Sequence, residues 1–338
     1  MKILAPIREF DELEMLAAAG AEELYCGVVP REWTAKFPGA LWLNRRAAAS
    51  SGLDSFAELR RLRDAAHARD LPLFVTLNAP TYGPDQLPMV QDLAQRMSEE
   101  GGVDALIVSD LNLIALLSEA GLHAQLHVSS VAATLNTEAV GFLKDFGVTR
   151  VVLPRSVTLD EIRGVTTAHP DLEIEVFLLN DGCAFEEGFC STTHHHSVGA
   201  FCTNLSTMKA DFEWYGPRYT SRRERWLRQN LADYREWVWY VNGNGCGATA
   251  KGLPYGPCGL CAIPDLQKMG VASLKIVGRE ASPFRKLASV KMAADIVKRT
   301  REAVPKLHVI ERAKSLRQEP EHCNAGYMCY YKVDPLAH

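Results

Sequence analysis

The chain has 338 residues, of which 47% are hydrophobic and 23% charged, with a formal net charge of −4. That composition is ordinary for a soluble globular protein and gives no global attraction to nucleic acid or to an acidic membrane. No apolar stretch approaches the roughly 20 residues that span a bilayer, and the opening Met1 to Pro6 is too short and too soon broken for a signal peptide. The expected location is therefore the cytoplasm, without a membrane partner. Nine cysteines in such a chain read as metal ligands or catalytic thiols rather than a disulfide framework, because the cytosol keeps thiols reduced.

From residue 1 to about residue 180 short apolar runs alternate with amphipathic segments. Strands are predicted at Ile3–Pro6, Glu23–Gly27, Leu73–Asn78, Ala105–Asp110, Ala124–Ser129, Arg150–Pro154 and Ile174–Leu179. Between them fall helical patterns at Phe10–Ala19, Phe56–Arg69, Gln86–Glu100, Leu111–Glu119 and Glu138–Phe146. Gly20, Gly101, Gly121 and Gly147 mark left-handed helix ends, and Thr158 with Asp160 opens a further helix. An eighth strand, Ser273–Val277, and a last helix, Pro283–Ala303, follow a long interruption. This alternation predicts an α/β fold, a (β/α)8 TIM-like barrel, with an open doubly wound sheet as the alternative. The expected division is barrel over 1–180 and 271–305, a cysteine-bearing insertion over 181–270, and a tail over 306–338.

Strand parity points to a site. In strand five His123, Gln125, His127 and Ser129 share one face, and the apolar Ala124, Leu126 and Val128 share the other, which must meet the helices. Strand eight aligns Lys275, Val277 and Arg279; strand seven aligns Glu173, Glu175 and Phe177. Barrel interiors are usually filled by branched apolar side chains, so charges at several strand ends predict a polar cavity at the C-terminal mouth. The plainer alternative is a buried, mutually paired ion cluster. Glu175, His127 and Lys275 are the candidate catalytic residues. Arg155, Arg279, Asn78 and Asp110 are candidates to bind substrate, the arginines because a planar fork matches a carboxylate.

The insertion is far longer than the typical loop of about 2–6 residues. It holds Cys183, Cys190, Cys202, Cys246, Cys258 and Cys261. Cys183 and Cys190 flank six residues, Cys190 and Cys202 flank eleven, and Cys258-Gly-Leu-Cys261 is a C-x-x-C. Soft thiolates in a reduced compartment suit zinc or an iron–sulfur cluster; with only one tight knuckle, the loose spacing favours a cluster. Arg222, Arg223, Arg225 and Arg228 with Trp226 resemble a nucleic-acid surface, but Glu224, Asp233 and Glu236 dilute the charge. A solvated helix packing its aromatics on the barrel or a partner is the favoured reading.

Four local patterns occur in order: Glu175-Val176-Phe177 followed by Cys183-x6-Cys190; Gly199-Ala200-Phe201-Cys202-Thr203-Asn204; Leu260-Cys261-Ala262-Ile263; and Ser273-Leu274-Lys275-Ile276-Val277-Gly278-Arg279. Together they resemble the collagenase-like peptidase family U32, which includes UbiU/UbiV-type proteins and relatives that hydroxylate tRNA and rRNA bases. The resemblance implies a [4Fe–4S] cluster on Cys183, Cys190, Cys202 and Cys261. It also implies O2-independent hydroxylation of an aromatic or nucleoside substrate, with prephenate as oxygen donor, and a homo- or heterodimer with a related family member. Val277 stands where the family has Glu, and Leu179 where it has His; both positions are expected at the mouth, where they bear on substrate and activity. The alternatives are a non-catalytic accessory subunit with a structural cluster, and a peptidase-type hydrolase, for which no G-x-S-x-G, H-E-x-x-H or triad spacing is present. Cys246, Cys258, Cys323 and Cys329 are extra to the four-cysteine set.

Overall fold

The computed structural model describes residues 1–37, 43–46, 52–183, 186–190, 194–195, 199–200, 220–242, 253, 256–326 and 328–333. Cys202 and Cys246 lie outside the described residues.

The eight barrel strands are β1 (Lys2–Pro6), β2 (Glu23–Gly27), β3 (Leu73–Leu77), β4 (Ala105–Val108), β5 (Gln125–Val128), β6 (Arg150–Val152), β7 (Glu173–Leu179) and β8 (Ser273–Ile276). They close into one parallel barrel in which β8 lies between β7 and β1. The helices are α1 (Leu13–Ala19), α2 (Arg31–Lys36), α3 (Phe56–His67), α4 (Leu87–Glu99), α5 (Leu111–Glu119), α6 (Thr137–Lys144) and α7 (Leu159–Ala168). After β7 come α8 (Ser221–Asn242), α9 (Ile263–Lys268), α10 (Pro283–Arg301), α11 (Lys306–Arg317) and α12 (Pro320–Ala325).

The barrel closes because each strand offers one fully apolar face. Ile3, Leu24, Val75, Leu106, Val128, Val151, Ile174, Val176 and Leu274 are buried with the helices in one continuous core. Burying side chains of this size is worth roughly 1.5–3 kcal/mol each. A separate inner cluster, Leu4, Tyr25, Phe74, Ala105 and Ile107, packs on the opposite strand face, inside the barrel.

Several strands stop earlier than their apolar runs. β3 ends before Asn78, β4 before Ser109 and Asp110, and β6 before Leu153 and Pro154. At the mouth the chain leaves the ladder to turn into a helix, and the freed residues take up side-chain roles. Asp110 caps α5, accepting from Leu113 N–H at 2.8 Å. Asn136 caps α6, which starts at Thr137. The left-handed residue after α4 is Gly102, at φ +59°, rather than Gly101. Thr158 and Glu161 form the reciprocal capping box of α7.

The end of the expected insertion is part of the barrel layer. Leu260, Ala262, Ile263 and Leu266 are fully buried in the main core, so the short α9 follows the 3-10 turn Leu260–Ala262 as the crossover helix before β8. Its single turn and a half is too brief to show a helical period in sequence. The arginine-rich run is helical, as α8, and Trp226 on it is 63% exposed rather than packed away. Among the described residues no helix is long and apolar enough to cross a membrane.

Candidate active site at the barrel mouth

The floor of the mouth is an ion network. Glu175, fully buried, accepts from Lys275 Nζ at 2.6 Å and from Arg150 Nη1 at 3.2 Å. Arg150 reaches on to both carboxylate oxygens of Glu23, at 2.9 and 2.8 Å, and Ser273 donates to Glu23 at 2.7 Å. The paired-cluster alternative therefore describes this layer. Burial holds the Lys275 ammonium below its ordinary pKa, and Glu175 opposes that shift. His127 lies edge-on to Phe74, ring centroids 4.8 Å apart, and neither ring nitrogen has a partner among the described residues. Burial, helped by the cations of Arg150 and Lys275, drives its pKa well below the ordinary value, so the imidazole is neutral.

Above this floor opens a cavity lined by Arg45, Arg46, Thr76, Asn78, Arg155, Lys275 and Arg279, with Phe177 and Val277 as apolar wall. Two local features aim the cations into it. The β7–β8 register slips between Lys275 and Ile276, and Gly278 then turns the chain at φ +110°, a conformation L side chains rarely adopt. Arg279 follows and is 6% exposed. Its Nη1 donates to the Thr76 hydroxyl at 2.7 Å. No carboxylate of the described residues lies within ion-pair distance of it.

The neighbouring cations are tethered at one side. Arg155 donates to Asp181 O at 2.7 Å, pairs with Glu187, and lies 3.8 Å from the Phe177 ring centroid. Arg46 reaches Asp181 at 3.4 Å and Glu280 at 3.8 Å. Asn180 and Asp181 both hold left-handed backbone, φ +70° and +46°, as the chain leaves β7. Such strain persists only where surrounding contacts over-determine it; here Asn180 Nδ2 donates to Ser289 Oγ at 2.9 Å and Arg285 reaches Asp181 at 3.3 Å. Five cations line the cavity against Asp181 and Glu187. The arrangement suits a ligand carrying carboxylate or phosphate groups.

Of the residues expected from sequence, Lys275, Arg155, Arg279, Asn78 and Cys183 come together on this cavity. Glu175 and His127 lie beneath it in the floor. Asp110 is occupied by the α5 cap and by Tyr82 N–H at 3.0 Å. Val277 lines the cavity, whereas Leu179 is fully buried in the outer core; the extra residue at the β7–β8 slip turns it away from the mouth. Sequence reasoning missed Arg150, although its parity with Val152 marks it as inward-facing. It also missed Arg45 and Arg46, which no strand pattern frames.

The cysteines divide. Cys183 and Cys190 are half-buried on the segment leaving β7. Cys261 stands instead with Cys258, Cys323 and Cys329, whose thiols, after burial, push it up to a pKa of about 12. Among the described residues no three His, Cys, Asp or Glu side chains are placed to hold a metal ion.

Fold and mouth together define a (β/α)8 barrel protein with a cationic cavity at the C-terminal ends of its strands. Residues 8–336 match the model of peptidase family U32, and the chain belongs to that family. It is 29% identical over 217 residues to the "tRNA hydroxylation protein P" of Helicobacter pylori, covering 64% of this chain and 48% of that protein. It is 31% identical over 194 residues to the "23S rRNA 5-hydroxycytidine C2501 synthase" of Escherichia coli, covering 57% and 26%. A "Collagenase" of Porphyromonas gingivalis matches at 25% over 213 residues, covering 59% and 46%. The chain thus spans half or less of the length of these relatives. Among solved structures, the U32 peptidase Mk0906 aligns with a TM-score of 0.43 at 14% identity, covering 64% of this chain and 83% of that one.

Proposed function

We propose that this chain is an O2-independent hydroxylase of an RNA base, with its barrel mouth binding a carboxylate-bearing oxygen donor of the prephenate type. The observation that carries the reading is Arg279: a buried guanidinium with one hydroxyl partner among the described residues, facing a cavity rich in cations. A buried cation is costly unless paired, and an anionic ligand completes the pairing. The names of the relatives support the substrate class, since proteins that match this chain are named a tRNA hydroxylation protein and a 23S rRNA 5-hydroxycytidine synthase.

In this reading Arg279 and Arg155 hold carboxylates through charge-assisted bonds, Lys275 orients the donor from below, and Phe177 and Val277 exclude water. Glu175, itself paired with Arg150, holds Lys275 in place. The cofactor of the reading is an iron–sulfur cluster, which supplies redox or Lewis-acid chemistry when bound. Cys183, Cys190 and Cys202 are its donors from the insertion. Cys261, the fourth by resemblance, is packed among other thiols, so the described residues do not gather that set.

The test is made in a deletion strain of the source organism. Nucleosides from its tRNA and rRNA are compared by mass spectrometry with those of strains complemented by wild type or by Arg279→Ala. A hydroxylated nucleoside that disappears on deletion, returns with wild type and stays absent with Arg279→Ala supports the reading. Identical nucleoside profiles in all strains refute it.

A further inference from the structure

The C-terminal tail folds back against the exit of β7. Asn180 N–H donates to Pro257 O at 2.9 Å, and Gly259 N–H donates to Leu178 O at 2.7 Å. Cys258, between them, turns its backbone groups the other way. Its N–H donates to Met328 O at 2.8 Å, and its carbonyl accepts from Tyr330 N–H at 3.0 Å. Residues 257–259 are thus a splint, pairing antiparallel with Leu179 and parallel with Cys329. Two tyrosines of the tail reach past this splint to β7 itself. The Tyr331 hydroxyl donates to Phe177 O at 2.8 Å. The Tyr330 hydroxyl meets the carbonyls of both Asn180 and Asp181, the latter at 3.3 Å. Met328 holds φ +59° to enter this arrangement, a cost that the docked contacts must offset.

Asn180 and Asp181 are the two left-handed residues on which the chain turns into the mouth, and both are buried. A bend there takes their carbonyls out of the ladder, and buried carbonyls need donors. Tyr330 supplies one. Burial raises its pKa, so the hydroxyl keeps its proton and stays a donor. Asp181 O also accepts from Arg155 Nε at 2.7 Å. The tail tyrosine and the cavity arginine are therefore tied to one oxygen. They share a second surface, the Phe177 ring. Arg155 lies 3.8 Å from its centroid, and Tyr330 stacks with it at 6.1 Å between centroids and 29° between planes. At the same bend the Asp181 carboxylate reaches Arg46 at 3.4 Å. Arg46 and Arg155 both line the cavity, and Tyr330 does not.

We propose that Tyr330 is a positioning residue of the anion-binding mouth. From the C-terminal tail it fixes the Asn180–Asp181 bend and thereby aims Arg155 into the cavity. It acts through Asp181 O rather than by touching the ligand. For that ligand, a carboxylate held by Arg155, the proposal rests on the reading of the mouth given above. A ligand that engages Arg155 is then felt at the tail, since coupling between two sites is reciprocal.

The test uses the full chain and two variants, Tyr330→Phe and Tyr331→Phe, each of which removes one hydroxyl and keeps the ring. Hydrogen exchange needs no ligand. Tyr330→Phe is expected to speed exchange over residues 180–183, and Tyr331→Phe to speed it less there. Calorimetric titration with prephenate then reads the positioning. Tyr330→Phe is expected to weaken binding about three- to tenfold, the scale of one hydrogen bond. In an Arg155→Ala background the same change is expected to add nothing, because no guanidinium remains to be aimed. The proposal is overturned by unchanged exchange over 180–183, by equal acceleration in Tyr331→Phe, or by a fully additive loss in the Arg155→Ala background. Wild type that binds no prephenate defeats the ligand reading of the mouth, and exchange at the bend still decides the role of Tyr330. A measurement on wild type guards against a variant that does not fold. Saturating prephenate is expected to slow exchange over residues 328–331, and unchanged exchange there also overturns the proposal.

Discussion

Among the described residues, Arg279 makes one hydroxyl bond at 2.7 Å, is 6% exposed and lines the cavity. Arg279→Ala should weaken binding of a dicarboxylate by about 1.5–3 kcal/mol, the range of a charge-assisted hydrogen bond. Calorimetric titration with prephenate measures it, and metal content should not change, since Arg279 is no thiolate ligand. Equal affinities in variant and wild type would remove Arg279 from the site. His127 allows a second prediction. Its folded pKa lies well below that of the unfolded chain, about 6.5. Above that pH both states are neutral and its contribution is complete. As pH falls below it, the unfolded chain takes up a proton that the folded protein refuses, and stability drops by about 1.4 kcal/mol per pH unit until the folded pKa is reached. Urea unfolding at pH 7.5 and 5.5 should show a smaller loss for His127→Gln than for wild type. Parallel losses in the two proteins would contradict a buried neutral imidazole.

At the scale of elements, the helix starts on the mouth side are set by short polar signals rather than by apolar period. Thr158 is the sharpest of them. Its hydroxyl caps Glu161 N–H, and the Glu161 carboxylate returns to Thr158 N–H at 2.7 Å. Thr158→Ala should cost about 1 kcal/mol, read as a lower thermal midpoint, with ligand affinity at the mouth intact. A change in affinity would mean that α7 transmits strain to Arg155. The β7–β8 pair has the opposite character. Its one-residue slip decides which way Leu179 and the Val277–Arg279 segment face, and regular alternation cannot show an added residue in advance.

For the whole molecule, closure depends on contacts between chain ends. Lys286 of α10 is 1% exposed and donates to both oxygens of Glu12, each at 2.8 Å. Those groups are 274 residues apart and tie the last barrel helix to the turn after β1. Lys286→Met should destabilise the protein by about 3–5 kcal/mol, because it leaves Glu12 buried without its cation. Removing both charges, with Glu12→Gln added, should recover part of that loss. Denaturant midpoints for the two variants check the pair, and a double variant no more stable than the single would show that no charge was left stranded.

Elements with a repeating local signal could be read from the chain alone. Eight apolar strand runs, the helices between them and the inward faces of β5, β7 and β8 follow from period and parity, since a buried face must be apolar wherever it occurs. The cationic mouth was legible from the same parity at Lys275 and Arg279, and at Arg155 from its place just beyond strand six. What needed the fold were matters of distance between remote segments. Arg45 and Arg46 reach the cavity from a loop without a pattern, and Glu175 and His127 fall below it because strand depth is set by barrel stagger. Cys261 keeps company with Cys323 and Cys329 because Cys258 pairs its backbone with a tail some seventy residues later. Local sequence carries propensity and period, whereas which remote segments lie side by side is decided by closure of the barrel and the return of the tail.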